Sequence, residues 1–438
     1  MKNGIHKPVE GAILRLKLEN GLDVVLMKDS SAPVVAVNLW YKVGSKDEQP
    51  GKSGFAHLFE HMMFQGSENV RKAEHMKLIS DVGGWMNGTT SKDRTNYFEV
   101  VPANQLRLAL WLEADRMRSL AVNKDNFENQ RSTVKEERRL RVDNAPYAPV
   151  FYELLDELTY QNWAYKHSVI GSMEDLDKAA LADVIDFHNR YYKPSNAVLA
   201  VVGYFNAQET VALIKEYFGD IPPGNDPPAV DLSEPEQTAE RRMVWNDKFA
   251  PMPAYACAYH IPKYGEEDYY TLELIEKILF DGESSRLYRI LVEEHKAALH
   301  LFGGAEPKIG PGVFTFFAQI TPGHTIPEIE SLVENQIKKL KNEPVLDREL
   351  QKVKNKCKAD AIAHMERVHS KADLLCKYTA IFDEPELIHN ELERYLTVTA
   401  DDIVKAAKKY FRKKKRSVIE VVPVRPNANQ AQNALGAT

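Results

Sequence analysis

The feature that most constrains the fold is an internal repeat. The segment PMPAYACAYHIP resembles SAPVVAVNLWYKV, and Pro253 stands 220 positions after Pro33. Near the other end, ADDIVKAAKKYFRKKKRSVIEVVP resembles LADVIDFHNRYYKPSNAVLAVVG, and Tyr410 stands 219 positions after Tyr191. Because the offset is nearly constant at both ends, the sequence predicts two copies of one α+β unit, each of about 200 residues.

Local patterns give the same fold class. Two runs of alternating apolar residues flank Asn20-Gly21, which is typical of a β-hairpin. A proline-rich stretch at about 221–240 interrupts all periodicity and predicts a linker between domains. The predicted fold is therefore α+β, with two homologous sandwich-like units in tandem, each an antiparallel-rich sheet with helices packed on it. The predicted domains are 1–222 and 223–438, and a polar, floppy tail is expected at about 425–438.

Composition excludes several classes of protein. The net charge of −6 gives no reason to expect nucleic acid as a partner, and the basic run at 408–416 is expected to close the last helix. No stretch approaches the ~18 consecutive apolar residues of a membrane span. Three widely spaced cysteines argue against a disulfide framework. The N-terminus lacks an apolar core, so no signal peptide is expected in the sequence as given. The compartment is left open between the periplasm, for a processed form, and the cytoplasm otherwise.

The segment GFAHLFEHMMFQG, residues 54–66, carries the clearest chemical signal. Its apolar residues surround the predicted helix almost completely, which is typical of a buried helix. Yet His57, Glu60 and His61 lie within about one turn and share an arc of about 100°. Burying a carboxylate beside two imidazoles is costly unless a cation is present, and zinc coordinates both groups.

The spacing separates two roles. Histidines at positions i and i+4 converge on one ion, so His57 and His61 are the expected metal ligands. Glu60 directly precedes the second histidine and is expected to act as general base towards water activated at the metal. This order is the inverted zincin motif. The alternative, a surface helix with incidental polar residues, fits poorly with so apolar a sequence.

A catalytic zinc with two histidine ligands needs a third protein ligand. The charged helix predicted at 128–144 offers Glu136 and Glu137, and the residues alone do not decide between them. His364 and His369 lie five positions apart, and on one helix they would diverge by about 140°. They therefore predict no second metal site.

Together these segments resemble the insulinase/pitrilysin family of zinc peptidases, in particular its processing-peptidase-like members. GFAHLFEHMMFQG, GGWMNGTTSKDRTNYFEVV and NQRSTVKEERR all match segments of the family. The resemblance spans the chain and implies the zinc-bearing half of a clam-shell endopeptidase, with Zn²⁺ as cofactor. The family places its third ligand about 75 residues beyond the second histidine, which selects Glu137.

The resemblance also implies how a substrate is held. The family binds peptides or unfolded segments as an extended strand along a sheet edge near the zinc, with little sequence preference. In this sequence that edge maps onto Asn87, Gly88 and Thr89. Taken alone, the Asn-Gly pair is more typical of a turn.

The sequence departs from the family in three places. Gln130 stands where the family often has a glutamate, seven residues before the third ligand, so a charge near the metal is lost. Val292 and Leu299 stand where the family has an arginine and a tyrosine, and neither can donate a hydrogen bond. The second repeat has KILFD (277–281) in place of His57–His61 and holds no zinc motif. We therefore expect a heterodimer with a homologous, zinc-lacking partner that supplies the Arg/Tyr pair, with a homodimer as the alternative.

A second class of function is a non-catalytic scaffold subunit of a multi-protein complex. The intact set of His57, Glu60, His61 and Glu137 weighs against it, because a scaffold needs none of them.

Overall fold

The computed structural model describes residues 11–424. Its strands are β1 (Ile13–Lys17), β2 (Asp23–Lys28), β3 (Val34–Tyr41), β4 (Trp85–Thr90), β5 (Thr95–Pro102), β6 (Ala197–Gly203), β7 (Arg241–Asp247), β8 (Ala254–Ile261), β9 (Ala298–Glu306), β10 (Gly312–Ile320) and β11 (Arg416–Pro423). Its α-helices are α1 (Phe55–Met62), α2 (Glu74–Asp81), α3 (Leu106–Ser119), α4 (Lys124–Arg138), α5 (Leu155–Thr159), α6 (Trp163–Lys166), α7 (Met173–Lys178), α8 (Leu181–Tyr191), α9 (Ala207–Phe218), α10 (Glu267–Phe280), α11 (Arg286–Tyr288), α12 (Ile326–Asn342), α13 (Asp347–Met365), α14 (Val368–Phe382), α15 (Leu387–Thr397) and α16 (Ala400–Tyr410). Segments of π-helix occur at Arg139–Asp143, Val150–Leu154 and Arg289–Glu294. The tail expected at 425–438 and the N-terminal residues considered for a signal peptide lie outside the described residues.

The first unit is built on a six-stranded sheet with the order β1-β2-β6-β3-β5-β4. Strand β6 runs parallel to β2, and the other neighbouring pairs are antiparallel. Because β6 (AVLAVVG) lies between two strands and is buried throughout, it is apolar at every position. Strands β1 and β2 form the predicted hairpin, and its turn contains Gly21 with a positive φ of 87°. Strand β4 lies at the edge of the sheet.

Helix α14 covers one face of this sheet. Asp373 on this helix accepts a hydrogen bond from Trp40 Nε1 at 3.0 Å and another from Asn96 Nδ2 at 3.3 Å, so polar atoms of β3 and β5 are satisfied from the helix. The buried apolar side chains of this cluster include Val25, Met27, Ala36, Trp40, Val198, Ala200, Val202, Ala372, Leu375 and Cys376.

The second unit is built on a five-stranded sheet with the order β7-β11-β8-β10-β9. Strand β11 is parallel to β7, the remaining pairs are antiparallel, and β9 lies at the edge. The π-helical segment Val150–Leu154 and helix α5 supply the apolar cover. The buried members of this core cluster are Val150, Leu155, Ala250, Ala254, Ala256, Ala258, Phe317, Ile419 and Val421.

The two sheets repeat one arrangement of strands. The series β2-β6-β3-β5-β4 corresponds in order and in direction to the series β7-β11-β8-β10-β9. Each series starts with a parallel pair and continues with antiparallel pairs. The predicted fold class, two homologous α+β units in tandem, is therefore confirmed.

The compact units differ from the contiguous domains predicted as 1–222 and 223–438. The segment 137–162 clusters with the second unit, and the segment 357–393 clusters with the first. The reason is that each sheet's apolar face is covered by helices that the other half of the sequence encodes. The first unit comprises 11–136, 163–231 and 357–393, and the second comprises 137–162, 232–356 and 394–424.

The cysteines and the helices can be compared with the expectations from composition. Cys257, Cys357 and Cys376 are buried thiols. Among the helices of residues 11–424, none combines the length and apolarity needed to cross a bilayer.

Candidate metal centre

The site is built around α1, which starts abruptly after Gly54. This glycine has a φ of 90°, and an added Cβ would come within 2.7 Å of the carbonyl oxygen of Ile170. Only glycine fits such a position without strain. The apolar residues of α1 are almost completely buried, whereas His57, Glu60 and His61 are half-buried. The helix therefore packs its apolar faces into the unit and leaves one polar stripe accessible.

A buried carboxylate anchors the N-terminus of α1. Glu48 accepts hydrogen bonds from the backbone N–H groups of Gly54 at 2.8 Å and Ala56 at 2.7 Å. These are two of the N–H groups that a helix leaves unpaired at its start, and a negative charge there suits the helix dipole. Glu48 was not identified from the sequence, because it lies in a loop outside the helix.

His167 holds the Glu48 carboxylate from the other side. Its Nε2 lies 3.0 Å from Glu48 Oε2, and its Nδ1 lies 2.7 Å from the carbonyl oxygen of Trp163. A carbonyl only accepts, so Nδ1 carries a proton, and a second proton is shared between Nε2 and the carboxylate. Burial raises the pKa of Glu48, and His167 opposes that shift. The pair fixes the position of the helix that carries the predicted metal ligands.

The predicted ligands converge in the structure. The rings of His57 and His61 are in edge contact, with centroids 4.8 Å apart. One ligand atom from each of His57, His61 and Glu137 lies within 4.8 Å of the other two. Of the two glutamates left open by the sequence, the structure brings Glu137, and not Glu136, to this group.

Glu137 reaches the group because α4 is continuous from Lys124 to Arg138. Its carboxylate also pairs with Arg141 at 2.8 Å, one turn further along. Gln130, seven residues earlier on α4, is buried, and its Nε2 donates to Asn129 Oδ1 at 2.7 Å. The departure at Gln130 thus places an uncharged amide on the helix that carries Glu137.

Glu60 lies against the edge strand β4. Thr90 Oγ1 donates a hydrogen bond to Glu60 Oε2 at 2.6 Å. A Cβ on Gly88 would lie 3.2 Å from Glu60 Cγ, which is a tight contact, so an alanine there would press on Glu60. Thr90 was not identified from the sequence, since a threonine in a strand carries no signal by itself.

The residues mapped onto the substrate edge lie in β4 and not in a turn. Asn87 is exposed, and its Oδ1 accepts from the N–H of Gly88 at 2.9 Å. Thr89 Oγ1 donates to Asn96 Oδ1 at 2.6 Å. In this sheet β4 pairs with β5 on one side only, so its other backbone edge is available for a further strand.

A second group of potential ligands is buried within the first unit. One ligand atom from each of His75, Glu99 and Glu113 lies within 4.8 Å of the other two. Arg116 makes a two-pronged ion pair with Glu113, with Nε 2.9 Å from Oε2. Burial raises the pKa of Glu99 to about 8 and lowers that of His75 to about 3.

At neutral pH this second group is balanced without a metal. Glu99 is protonated, His75 is neutral, and the charges of Glu113 and Arg116 cancel. A divalent cation that displaced the Glu99 proton would leave a net positive charge in a dry interior, which is unfavourable. The group is therefore a structural network, and the half-buried group at α1 is the candidate metal centre.

The remaining predicted positions fall elsewhere. Val292 is half-buried in a π-helical segment, and Leu299 is 44% exposed on β9. His364 lies near the end of α13 and His369 lies in α14, so they do not share one helix as assumed. Within 232–356, no group of three potential ligands of this kind occurs among the described residues.

The fold and this site define a class of protein in which two copies of one α+β unit have diverged and one copy carries a His-x-x-Glu-His helix. Residues 23–172 match the sequence model of the insulinase family, peptidase family M16, and residues 178–357 match that of the peptidase M16 inactive domain. The chain is 31% identical over 409 residues to the zinc protease PqqE of Helicobacter pylori, covering 93% of this chain and 92% of that protein.

Solved structures of similar fold point to the same family. A protease from Helicobacter pylori superposes with a TM-score of 0.90 at 30% identity, covering 95% of this chain and 100% of that one. The periplasmic protease PqqL of Escherichia coli shares the fold, with a TM-score of 0.74 at 19% identity, over 98% of this chain and 50% of that one. The chain belongs to the insulinase family of peptidases, family M16.

Proposed function

We propose that this chain is the metal-bearing subunit of a zinc endopeptidase that hydrolyses peptides or unfolded segments bound as an extended strand. One observation carries the proposal: His57, His61 and Glu137 offer three ligand atoms within 4.8 Å of one another, directly beside Glu60 and the edge strand β4. The names of the relatives, which are zinc proteases, support the same activity class.

The donor set fits zinc. Two imidazole nitrogens and one carboxylate oxygen are the ligands that catalytic zinc sites use, and three protein ligands leave a fourth position for water or substrate. Held by His57, His61 and Glu137, zinc would supply Lewis-acid chemistry, polarising a carbonyl and lowering the pKa of a water molecule. The half-buried position of all three side chains provides access for a peptide.

Glu60 acts as general base. It takes a proton from the attacking water and later delivers it to the leaving amine. The hydrogen bond from Thr90 orients the carboxylate, and the close packing of Gly88 holds it next to β4. The carboxylate of Glu60 and the backbone of a substrate bound along β4 are thereby held close together.

Strand β4 binds the substrate through its backbone. A peptide added to the edge would pair with Asn87, Gly88 and Thr89, and backbone hydrogen bonds give affinity with little dependence on sequence. This mode selects extended segments and rejects folded proteins, whose backbone is already paired.

The chain acts with a homologous partner. Val292 and Leu299 cannot stabilise an oxyanion, so a donor pair must come from elsewhere. The Escherichia coli protease has the same fold in half of its length, which is consistent with two such halves forming one functional molecule. A homodimer is the alternative arrangement, and a non-catalytic scaffold is the competing function.

The metal is tested by a pair of neighbouring variants. After removal of metal and controlled reloading, elemental analysis should find one zinc per chain. Glu137→Gln should weaken zinc affinity by about 100-fold or more, because a direct ligand is lost. Glu136→Gln, the neighbour on the same helix, should bind as the parent does. Equal affinities in the two variants, or a parent without stoichiometric zinc, would contradict the proposal.

The partner requirement is tested by activity. The zinc-loaded chain is assayed on unstructured peptides alone and after mixing with a homologous chain that carries arginine and tyrosine at the positions of Val292 and Leu299. We expect cleavage to rise strongly in the mixture. High activity of the chain alone would refute the split site, and zinc binding without cleavage in either case would favour the scaffold.

A further inference from the structure

Three aromatic rings cluster at the start of the edge strand β4. Trp85 makes edge contacts with Phe98 (centroids 5.8 Å apart) and with His369 (5.4 Å), and Phe98 and His369 lie 4.2 Å apart. Phe98 belongs to β5 and His369 to the first turn of α14. The three side chains therefore form one small platform at the end of β4 that is remote from Thr90.

The platform is only partly covered. Phe98 is 7% exposed, whereas Trp85 is 49% exposed. A tryptophan can bury 150–250 Å² of surface (a typical range), so half exposure leaves a large apolar area in water. Burial lowers the pKa of His369, which keeps its ring neutral and the platform uncharged. An exposed, uncharged aromatic surface suits an apolar side chain.

The pleat of β4 shows which side chains could reach the platform. Gly88 and Thr90 approach Glu60 on one face of the sheet. Trp85 and Thr89 lie on the other face, together with Phe98 and Asn96 of β5. Residues that are directly opposite in paired strands point to the same face. In a peptide strand added to β4, the residue opposite Trp85 thus points towards the platform and away from Glu60.

The spacing places this side chain away from the reacting bond. Trp85 and Thr90 are five residues apart in β4, which corresponds to about 16 Å along a strand. A peptide residue directly opposite Trp85 lies five positions from the one opposite Thr90, and its neighbour on the same face lies three positions away. The platform would thus contact a residue three to five positions from the cleaved bond.

We propose that Trp85, supported by Phe98 and His369, forms a subsite for a bulky apolar or aromatic side chain of the substrate, three to five positions from the scissile bond. The inference rests on the proposed peptidase function and deepens it. It adds a preference for one kind of substrate side chain to an edge strand that otherwise recognises only the substrate backbone.

The test uses a series of unstructured peptides in which one phenylalanine is moved position by position through a polar host sequence. The zinc-loaded protein, with its homologous partner where cleavage requires it, is assayed for kcat/KM, and cleavage sites are read by mass spectrometry. We expect the peptide with phenylalanine at one position, three to five residues from the bond, to be preferred about tenfold over the same peptide with serine there.

Three variants test whether Trp85 causes the preference for phenylalanine. Trp85→Thr, which keeps a strand-forming residue, should reduce it to about twofold or less, and Trp85→Phe should retain most of it. Tyr204→Ala removes an aromatic side chain of similar exposure (52%) outside β4 and should leave the preference unchanged. A preference that survives in Trp85→Thr, or that is absent in the parent, would overturn the subsite.

Binding separates this inference from the peptidase proposal. Peptide affinities are measured by fluorescence anisotropy on Glu60→Gln, with and without Trp85→Thr. Tighter binding of the phenylalanine peptide that disappears with Trp85→Thr supports the subsite even if the parent cleaves nothing. Cleavage by the parent without any phenylalanine preference, in binding or in turnover, leaves the peptidase intact and refutes the subsite.

Discussion

The edge strands β4 and β9 occupy the same place in their respective sheets, but different side chains lie beside them. Next to β4, Gly88 faces Glu60. Next to β9, Gly303 faces Phe280, which stands 220 positions after Glu60 and so occupies the corresponding place in the repeat. In the second unit an aromatic ring thus replaces the proposed general base, while the glycine that admits a close neighbour is kept.

The helices that carry these residues differ in the same way. Lys277 in α10 and Asp281 directly after it stand where α1 has His57 and His61, and they approach each other to 3.8 Å as an ordinary i,i+4 ion pair. The comparison teaches that the strand arrangement needs only apolar faces and glycines at the edge. The proposed chemistry depends on polar side chains of α1 that the strand arrangement does not require.

The largest difference between the two units is expected when a carboxylate beside each edge strand is neutralised. Glu60→Gln should lower kcat by about 10³-fold with zinc retained, because the general base is lost. Glu276→Gln, whose carboxylate accepts the N–H of Ala305 in β9 at 2.9 Å, should change kcat less than about threefold. Peptide cleavage and zinc analysis of both variants check this. Comparable losses in the two would show that the units do not differ as proposed.

The edge glycines offer a second contrast. In Gly88→Ala the new Cβ would press on Glu60 and Phe64 at 3.2 Å, so we expect a loss of about tenfold or more in kcat and little change in thermal stability. In Gly303→Ala the Cβ would overlap the carbonyl oxygen of Thr315, which should destabilise the protein by about 1–3 kcal/mol. Rates and melting temperatures measured together distinguish the two outcomes, and a reversed pattern would disprove the assignment.

The starts of helices α1 and α10 also differ. Glu48→Gln replaces one of the two acceptor oxygens at α1 by a donor and should cost about 1–3 kcal/mol, with a few-fold weaker zinc affinity. Glu266, the residue before α10, is exposed and its side chain makes no capping bond, so Glu266→Gln should be neutral. Thermal melts and zinc titrations test both. A stable Glu48→Gln protein with unchanged zinc affinity would show that the carboxylate does not position α1.

The smallest effect concerns pH. Strand β10 (GVFTFFAQI) contains no acidic residue, whereas β5, its counterpart in the first unit, carries the buried Glu99. Burial raises the pKa of Glu99 to about 8 from its ordinary 4.5. Such a group contributes stability below pH ~4.5 and loses it as the pH rises through about 8, at no more than ~1.4 kcal/mol per pH unit.

Glu99→Gln should remove this contribution. Relative to the parent, the variant should therefore gain stability as the pH rises from 5.5 to 7.5, while peptide cleavage stays within about twofold. Melting temperatures of both zinc-loaded proteins across this range measure the difference. Parallel curves for the two proteins would mean that Glu99 does not carry the buried proton.

Much of the site was predictable because local spacing carries it. His57, Glu60 and His61 depend only on helical geometry, and the structure keeps them on the one accessible stripe of a buried helix. The choice between Glu136 and Glu137 needed the family resemblance. Adjacent residues on a helix differ only in the direction in which their side chains point, and the sequence alone does not show which direction faces the two histidines. Glu48, His167 and Thr90 were missed, because each reaches the site across a tertiary contact that leaves no pattern in its own segment.

By itself, the sequence determined the repeat, the α+β class and the His-x-x-Glu-His helix, because periodicity and spacing are properties of short segments. Only the tertiary structure decided that helix α14 covers the first sheet and α5 the second, and that Trp85 stands half-exposed at the edge of β4. The physical reason is that the burial of a side chain, and the convergence of ligands on one site, depend on which distant segments pack together. Local sequence patterns are compatible with several such packings and do not choose among them.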